Sequence, residues 1–337
     1  MLSSAASALY CKRLRVDGGA AAAGGLAGIA SATVRNADGQ AWGAAVKHSS
    51  EVQGVDVALG SAGAALCASA SANGWARVSR LWLLSGGAPP GGKAGERPPE
   101  KRQRGACVEE IDGYWLPPAP AAANGEPGFV AVSLCGAEGA DAAEGAEPLV
   151  ATAHFFARVV ALHAGERLVR AVRSTHNPYS VQSIRAGPAA GCLAVADGHQ
   201  LAIWDMRVAK RGGCVQRLTP GGARLHALSV APDGGTVGVA GAEKFVHLYD
   251  CRAWSVRSRW GGAGRLAVRA IALDGQGMIH VAGEGAEYAC GSSAADGKAT
   301  HSFRGDSPWV GFDVSHSGSV ALLSELGSLY AHSAGYD

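Results

Sequence analysis

The chain contains no CxxC pair, no Cys-His grouping of zinc-finger spacing, no HExxH and no GxSxG. Those absences remove the compact signatures of structural zinc, dithiol redox chemistry, zinc-dependent hydrolysis and the serine-hydrolase elbow. Charge of one sign is lacking too: 30 Lys and Arg face 28 Asp and Glu, a formal net charge of +2. Nothing global draws the chain toward nucleic acid, an anionic membrane or an acidic substrate, so any electrostatic partner must be met locally. A long hydrophobic run is also missing. The most apolar extended segment, AAAAGGLAGIASA from Ala20 to Ala32, is built of Ala and Gly and is too short to span a bilayer.

The eight cysteines form no compact secreted disulfide pattern. Five of them, Cys67, Cys135, Cys192, Cys251 and Cys290, lie in or beside apolar runs and read as small buried hydrophobes in a reducing compartment. The N-terminal MLSSAASALYCKRLR has no acidic residue and carries Lys12, Arg13 and Arg15, a composition shared with organelle leaders. An ordinary first strand is the simpler reading, which favours the cytoplasm or nucleus over an organelle.

What is present is a repeat. LAIWDMR, Leu201 to Arg207, ends an apolar run on Trp204-Asp205, and FVHLYDCR, Phe245 to Arg252, ends one on Tyr249-Asp250. The separation is 249 − 204 = 45 residues, the size of one propeller blade. Two short β-prone runs precede each, SVQSIRA and CLAVADG in one, LHALSV and TVGVAG in the other. Turn residues such as Ala231-Pro232-Asp233-Gly234 separate the runs. Later segments repeat the rhythm, with Tyr288 and Tyr330 near the third-strand positions, and earlier ones with Val160 and Leu81-Trp82. Gly and Pro recur too often for helices.

The units at 176–207 and 214–252 resemble the WD-repeat family, and weaker echoes cover nearly the whole chain. The resemblance implies an all-β, single seven-bladed β-propeller with four-stranded blades. Its approximate units are 9–48, 51–84, 113–164, 166–207, 214–252, 256–291 and 300–333, with a flexible Gly/Pro-rich insertion near 85–110. It also implies structural roles: Trp204 and Tyr249 at the third-strand aromatic position, Asp205 and Asp250 at the strand end, and Asp197 at the turn Asp. Thr175-His176 replaces the family's Gly-His pair, CLAVA lacks its hydroxyl, and Ala242-Glu243-Lys244 replaces the Asp turn in the next unit. The chain's last unit stops at a third strand, and Ala8 to Val16 is expected to supply the missing outer one.

Enzyme-like strings have plainer explanations. Gly262 to Ala267 spells GxGxxA, but the following VRAIAL reads as a strand where a dinucleotide fingerprint needs a helix. GAPPGGKA, Gly87 to Ala94, is a near miss to a phosphate loop, without the hydroxyl that holds magnesium. His154, His163, His176 and His226 fall at no metal spacing. The expectation is a protein without catalytic, cofactor or metal sites: a scaffold mediating protein–protein interactions within a larger complex. A propeller enzyme with a channel-mouth site and a nuclear nucleic-acid-associated factor are the alternatives, with direct nucleic-acid or membrane contact not expected. The resemblance places partner-binding loops before the first strands, hence Tyr179, Arg224, Arg265 and Trp309, and between second and third strands, hence His199 and Lys244. Lys101, Arg102 and Arg104 form a candidate nuclear-import signal.

Overall fold

The computed structural model describes residues 31–35, 41–47, 52–59, 64–84, 107–116, 130–135, 147–208, 213–261, 267–293, 298–315, 318–326 and 328–333. Their regular structure is all β. A hairpin of β1 (Ser31–Arg35) and β2 (Ala41–Lys47) forms a sheet of its own. Blade 1 follows as β3 (Val52–Leu59), β4 (Ala64–Ser71), β5 (Ala76–Leu84) and β6 (Cys107–Leu116). Blade 2 is β7 (Val130–Cys135), β8 (Leu149–His154), β9 (Val159–Ala164) and β10 (Arg167–Arg173). Blade 3 is β11 (Pro178–Ser183), β12 (Cys192–Asp197), β13 (Gln200–Asp205) and β14 (Cys214–Leu218). Blade 4 is β15 (Leu225–Val230), β16 (Thr236–Gly241), β17 (Val246–Asp250) and β18 (Val256–Trp260). Blade 5 is β19 (Val268–Leu273), β20 (Met278–Gly283), β21 (Glu287–Ser292) and β22 (His301–Arg304). Blade 6, β23 (Trp309–Val314), β24 (Ser319–Ser324) and β25 (Leu329–Ser333), has three strands among the described residues.

Among the described residues the protein is thus a β-propeller of six blades, which corrects the expected seven. Among the described residues, the unit expected at 9–48 contributes β1 and β2, which pair with each other and form no ladder with any blade. Its Ala- and Gly-rich composition supplies few of the large side chains that hold blades face to face. The expected insertion is shorter than 85–110, because Cys107 to Glu110 already belong to β6. It falls inside blade 1, between the third and outermost strands, and residues 85–106 lie outside those described. Ala8 to Val16 lie outside them too. From residue 166 on, sequence units and blades are out of phase by one strand. The unit 166–207, for example, holds β10 of blade 2 and β11 to β13 of blade 3.

Each hydrophobic cluster lies between neighbouring blades. Ala194, Ala196, Leu201 and Ile203 of blade 3 meet Leu225, Val237, Val239 and Tyr249 of blade 4, for instance. Ala on one face leaves room for Leu, Ile or an aromatic from the next, so stacked sheets interdigitate without voids. Trp204 packs back onto Val160, Leu162 and Val172 of blade 2. Burying a side chain of that kind contributes about 1.5–3 kcal/mol.

The first strands line the centre, and one position on them links successive blades by side chain to backbone. Asp56 accepts from the Leu134 N–H (2.7 Å), Ser133 Oγ from Ser183 (3.0 Å), Gln182 Oε1 from Val230 (2.9 Å) and Ser229 Oγ from Leu273 (3.0 Å). At blade 5 the equivalent residue is Ala272, which has no acceptor to offer blade 6. The Val314 N–H there turns to the carboxyl of its own neighbour, Asp313.

Candidate functional site

Near the N-terminal end of each first strand, five blades share a register shift. It sets Gln53, Tyr179, His226, Arg269 and Val310 apart from the regular pairing. A bulge of this kind re-aims a side chain out of the ladder. Of these, Tyr179 lines a cavity. A basin of about 580 Å³ is lined by Phe155, His176, Asn177, Tyr179, Gly198, His199, Gly222 and Arg224. These come from three blades: the β8–β9 turn, the linker into β11, the β12–β13 turn and the linker into β15.

Backbone bonds fix the floor. The Gly198 N–H donates to the Asn177 carbonyl (3.1 Å), and the Gly198 carbonyl accepts from the Leu225 N–H (2.7 Å). Gly198 has φ of +67°, and a Cβ there would come within 2.7 Å of His176 Cβ. Glycine is therefore required at this turn. Asp197, buried at the end of β12, accepts from the Thr175 N–H (3.1 Å) and the His176 N–H (2.8 Å) and pairs with Arg217 (3.3 Å). That carboxylate is spent on holding the linker. It faces no ligand.

Aromatic and cationic groups make the walls. Phe155 meets Tyr179 edge to face at 4.8 Å and Phe156 at 5.0 Å. The Arg224 guanidinium lies 5.6 Å from the Tyr179 ring centre, and the His176 and His199 rings are 4.6 Å apart. Arg158 Nε donates to Asn177 Oδ1 at 3.0 Å. Next to Tyr179, His226 is held below the usual histidine range by burial. No Asp or Glu is among the described residues that line the basin.

The structure gathers three of the expected partner-binding residues, Tyr179, His199 and Arg224, in this one basin. Lys244 is exposed on the β16–β17 turn and is not among the lining residues. Trp309 is buried between blades 5 and 6, its indole N–H donating to the Glu287 carbonyl (2.9 Å), so it presents no surface. Arg265, Lys101, Arg102 and Arg104 lie outside the described residues. Sequence reasoning missed Phe155, His176 and Asn177. A Thr-His in place of Gly-His was the signal for His176, and Phe155-Phe156 is the one Phe-Phe pair in the chain.

Trp204 and Tyr249 are buried at matching third-strand positions. Asp205 accepts from the Arg207 N–H (2.9 Å) and Asp250 from the Arg252 N–H (2.7 Å), each fastening the turn that follows. Those bonds hold both carboxyls below the usual carboxylate range, that of Asp205 chiefly through the Arg207 side chain.

One other polar cluster has catalytic residue types. In blade 5, His280 Nδ1 is 2.8 Å from the Tyr288 hydroxyl and Nε2 is 3.2 Å from Asp274. All three are buried, and Asp274 also accepts from the Gln276 and Met278 N–H groups, which makes the string a brace for the β19–β20 turn. Among the described residues, no three of His, Cys, Asp or Glu converge as metal ligands. No family model and no curated protein matches the chain.

Proposed function

We propose that this propeller is a non-catalytic protein-interaction scaffold of the WD-repeat kind, a subunit of a larger assembly that docks through the basin over blades 2 to 4. The observation carrying this is that loops and linkers of three blades converge on one aromatic- and Arg-lined depression held by backbone bonds. Aromatics and Arg are the residue types that anchor interfaces, and a rigid ring presents them with little ordering cost. The WD-repeat kinship rests on Trp204-Asp205 and Tyr249-Asp250 at matching positions, and on Asp197 clasping the linker where a Gly-His pair would stand.

Affinity purification of the tagged protein, read by mass spectrometry, tests the proposal. A stoichiometric partner should co-purify with the unaltered chain and be lost when Tyr179→Asp puts a charge into the basin. Recovery of the protein alone, or a partner indifferent to that change, would count against it.

A further inference from the structure

The chemistry of the basin narrows its occupant. Its lining offers one full positive charge, on Arg224, two imidazoles, one amide and two aromatic rings, and no carboxylate. Of the acids beside it, Asp197 is consumed by two backbone N–H groups and Arg217, and Glu243, which lies against Gly221, pairs with His247 and Arg259. A second cation stands at the wall: Arg158 spends its Nε on Asn177 and is otherwise exposed. Arg158 also holds φ of +52°, a backbone region that a residue with a Cβ occupies at a cost. A ligand entering here meets two guanidinium groups beside two aromatic rings in a largely polar lining, and the complementary ligand is anionic with an apolar neighbour.

The same geometry separates peptide from nucleic acid. Single-stranded nucleic acid needs aromatic faces on which bases stack. Here Arg224 lies over Tyr179, while Phe155 is packed edge to face against both Phe156 and Tyr179. The aromatic groups are engaged with one another and with Arg224, which leaves them as walls for a side chain rather than as stacking platforms.

We propose that the basin binds a linear acidic segment of a partner protein. A carboxylate of that segment sits on the Arg224 guanidinium, with Arg158 adding to the field, and an adjacent apolar side chain rests against Phe155 and Tyr179. This rests on the platform reading above and adds the partner's chemistry to it. Guanidinium matches carboxylate through two parallel N–H bonds, which makes Arg224 the specificity-determining contact.

The test is a random peptide library displayed on phage and selected against the full chain. Enriched sequences are then synthesised with a fluorescein label and titrated by fluorescence polarisation. Enrichment of Asp or Glu beside an aromatic or aliphatic residue is expected. Affinity should fall roughly tenfold with Arg224→Gln, in line with the loss of one charge-assisted contact, and less with Arg224→Lys. Arg224 is exposed, so its variants should keep the melting temperature of the parent. Replacing the peptide's Glu with Lys should abolish binding.

An enriched pool dominated by Lys and Arg, no enrichment at all, affinity indifferent to Arg224, or tighter binding of a labelled oligothymidylate would each overturn the proposal. Its failure differs from failure of the platform reading. If Tyr179→Asp still releases a co-purifying partner while acidic peptides do not bind, only the acidic specificity falls. If acidic peptides bind but no partner co-purifies, the basin stands and the assembly reading falls.

Discussion

Ser229 carries one hydroxyl, and that hydroxyl accepts the backbone N–H of Leu273 in the next blade. Removing it leaves a half-buried donor without this partner, which costs about 0.5–1.5 kcal/mol. Ser229→Ala should lower the urea midpoint by an amount in that range, while the exposed Ser255→Ala should not. His154 works through protonation. Its Nε2 is 3.0 Å from Thr152 Oγ1, and burial, helped by His163, pulls its pKa from 6.5 to about 4. The unfolded chain takes up this proton near pH 6.5 and the folded chain only near 4. Stability is therefore full above about pH 6.5 and declines as the pH falls toward 4. Urea midpoints across that window should show the decline, and His154→Gln should flatten it. Asp313 has the opposite sign: burial, and secondarily Asp56, push its carboxyl up from 3.8 to about 7. Its contribution is present below about pH 3.8 and lost as the pH rises through 7. Asp313→Asn should raise the melting temperature at pH 8 relative to the parent, and much less at pH 4.

At the scale of the strand, the repeat was legible only where the third strand kept its aromatic. Pairing registers place Ser79 in blade 1, His163 in blade 2 and Gly291 in blade 5 at the position of Trp204 and Tyr249. The spacing count had pointed to Val160 and Leu81-Trp82 instead. In blade 5 the missing ring comes from elsewhere. Trp260, at the end of β18 in blade 4, lies 3.0 Å from where a Cβ on Gly291 would sit, and the Lys298 carbonyl lies 2.5 Å from it. The volume is filled from a neighbouring strand, which no periodic search detects. Gly291→Ala should cost about 1–3 kcal/mol through overpacking, seen as a lower thermal midpoint. The outer strands β10, β14, β18 and β22 were hardest to read, because they hold Arg and exposed Val rather than an apolar run. None of the four carries an Asp or Glu, and charge on an edge strand keeps it from pairing with another molecule.

For the ring as a whole, the sequence conveyed all-β architecture, blade period and half of the basin. It misled on blade number. A blade is defined by strands from two sequence units, so counting units from an Ala- and Gly-rich start overcounts by one. The basin was half legible because linkers and turns can be located from the strands around them. Which loop residues share a cavity depends on the angle between blades, which no spacing encodes. The latches between first strands run from blade 1 to blade 5 and stop at Ala272. Local opening should therefore begin at the junction of blades 5 and 6. Hydrogen exchange followed by mass spectrometry should find faster exchange in β23 than in β15, and equal rates would sink the idea.

Blade 1 interrupts itself between its third and outermost strands, and the residues on either side, Leu84 and Cys107, are partners across the same ladder. Entry and exit of whatever lies between them are thus already side by side, so lengthening that stretch adds only a slowly growing loop-closure cost. The rim of blade 1 is a ready splice port. A fluorescent reporter inserted there would sit on blade 1, away from blades 3 and 4, and would follow assembly in cells.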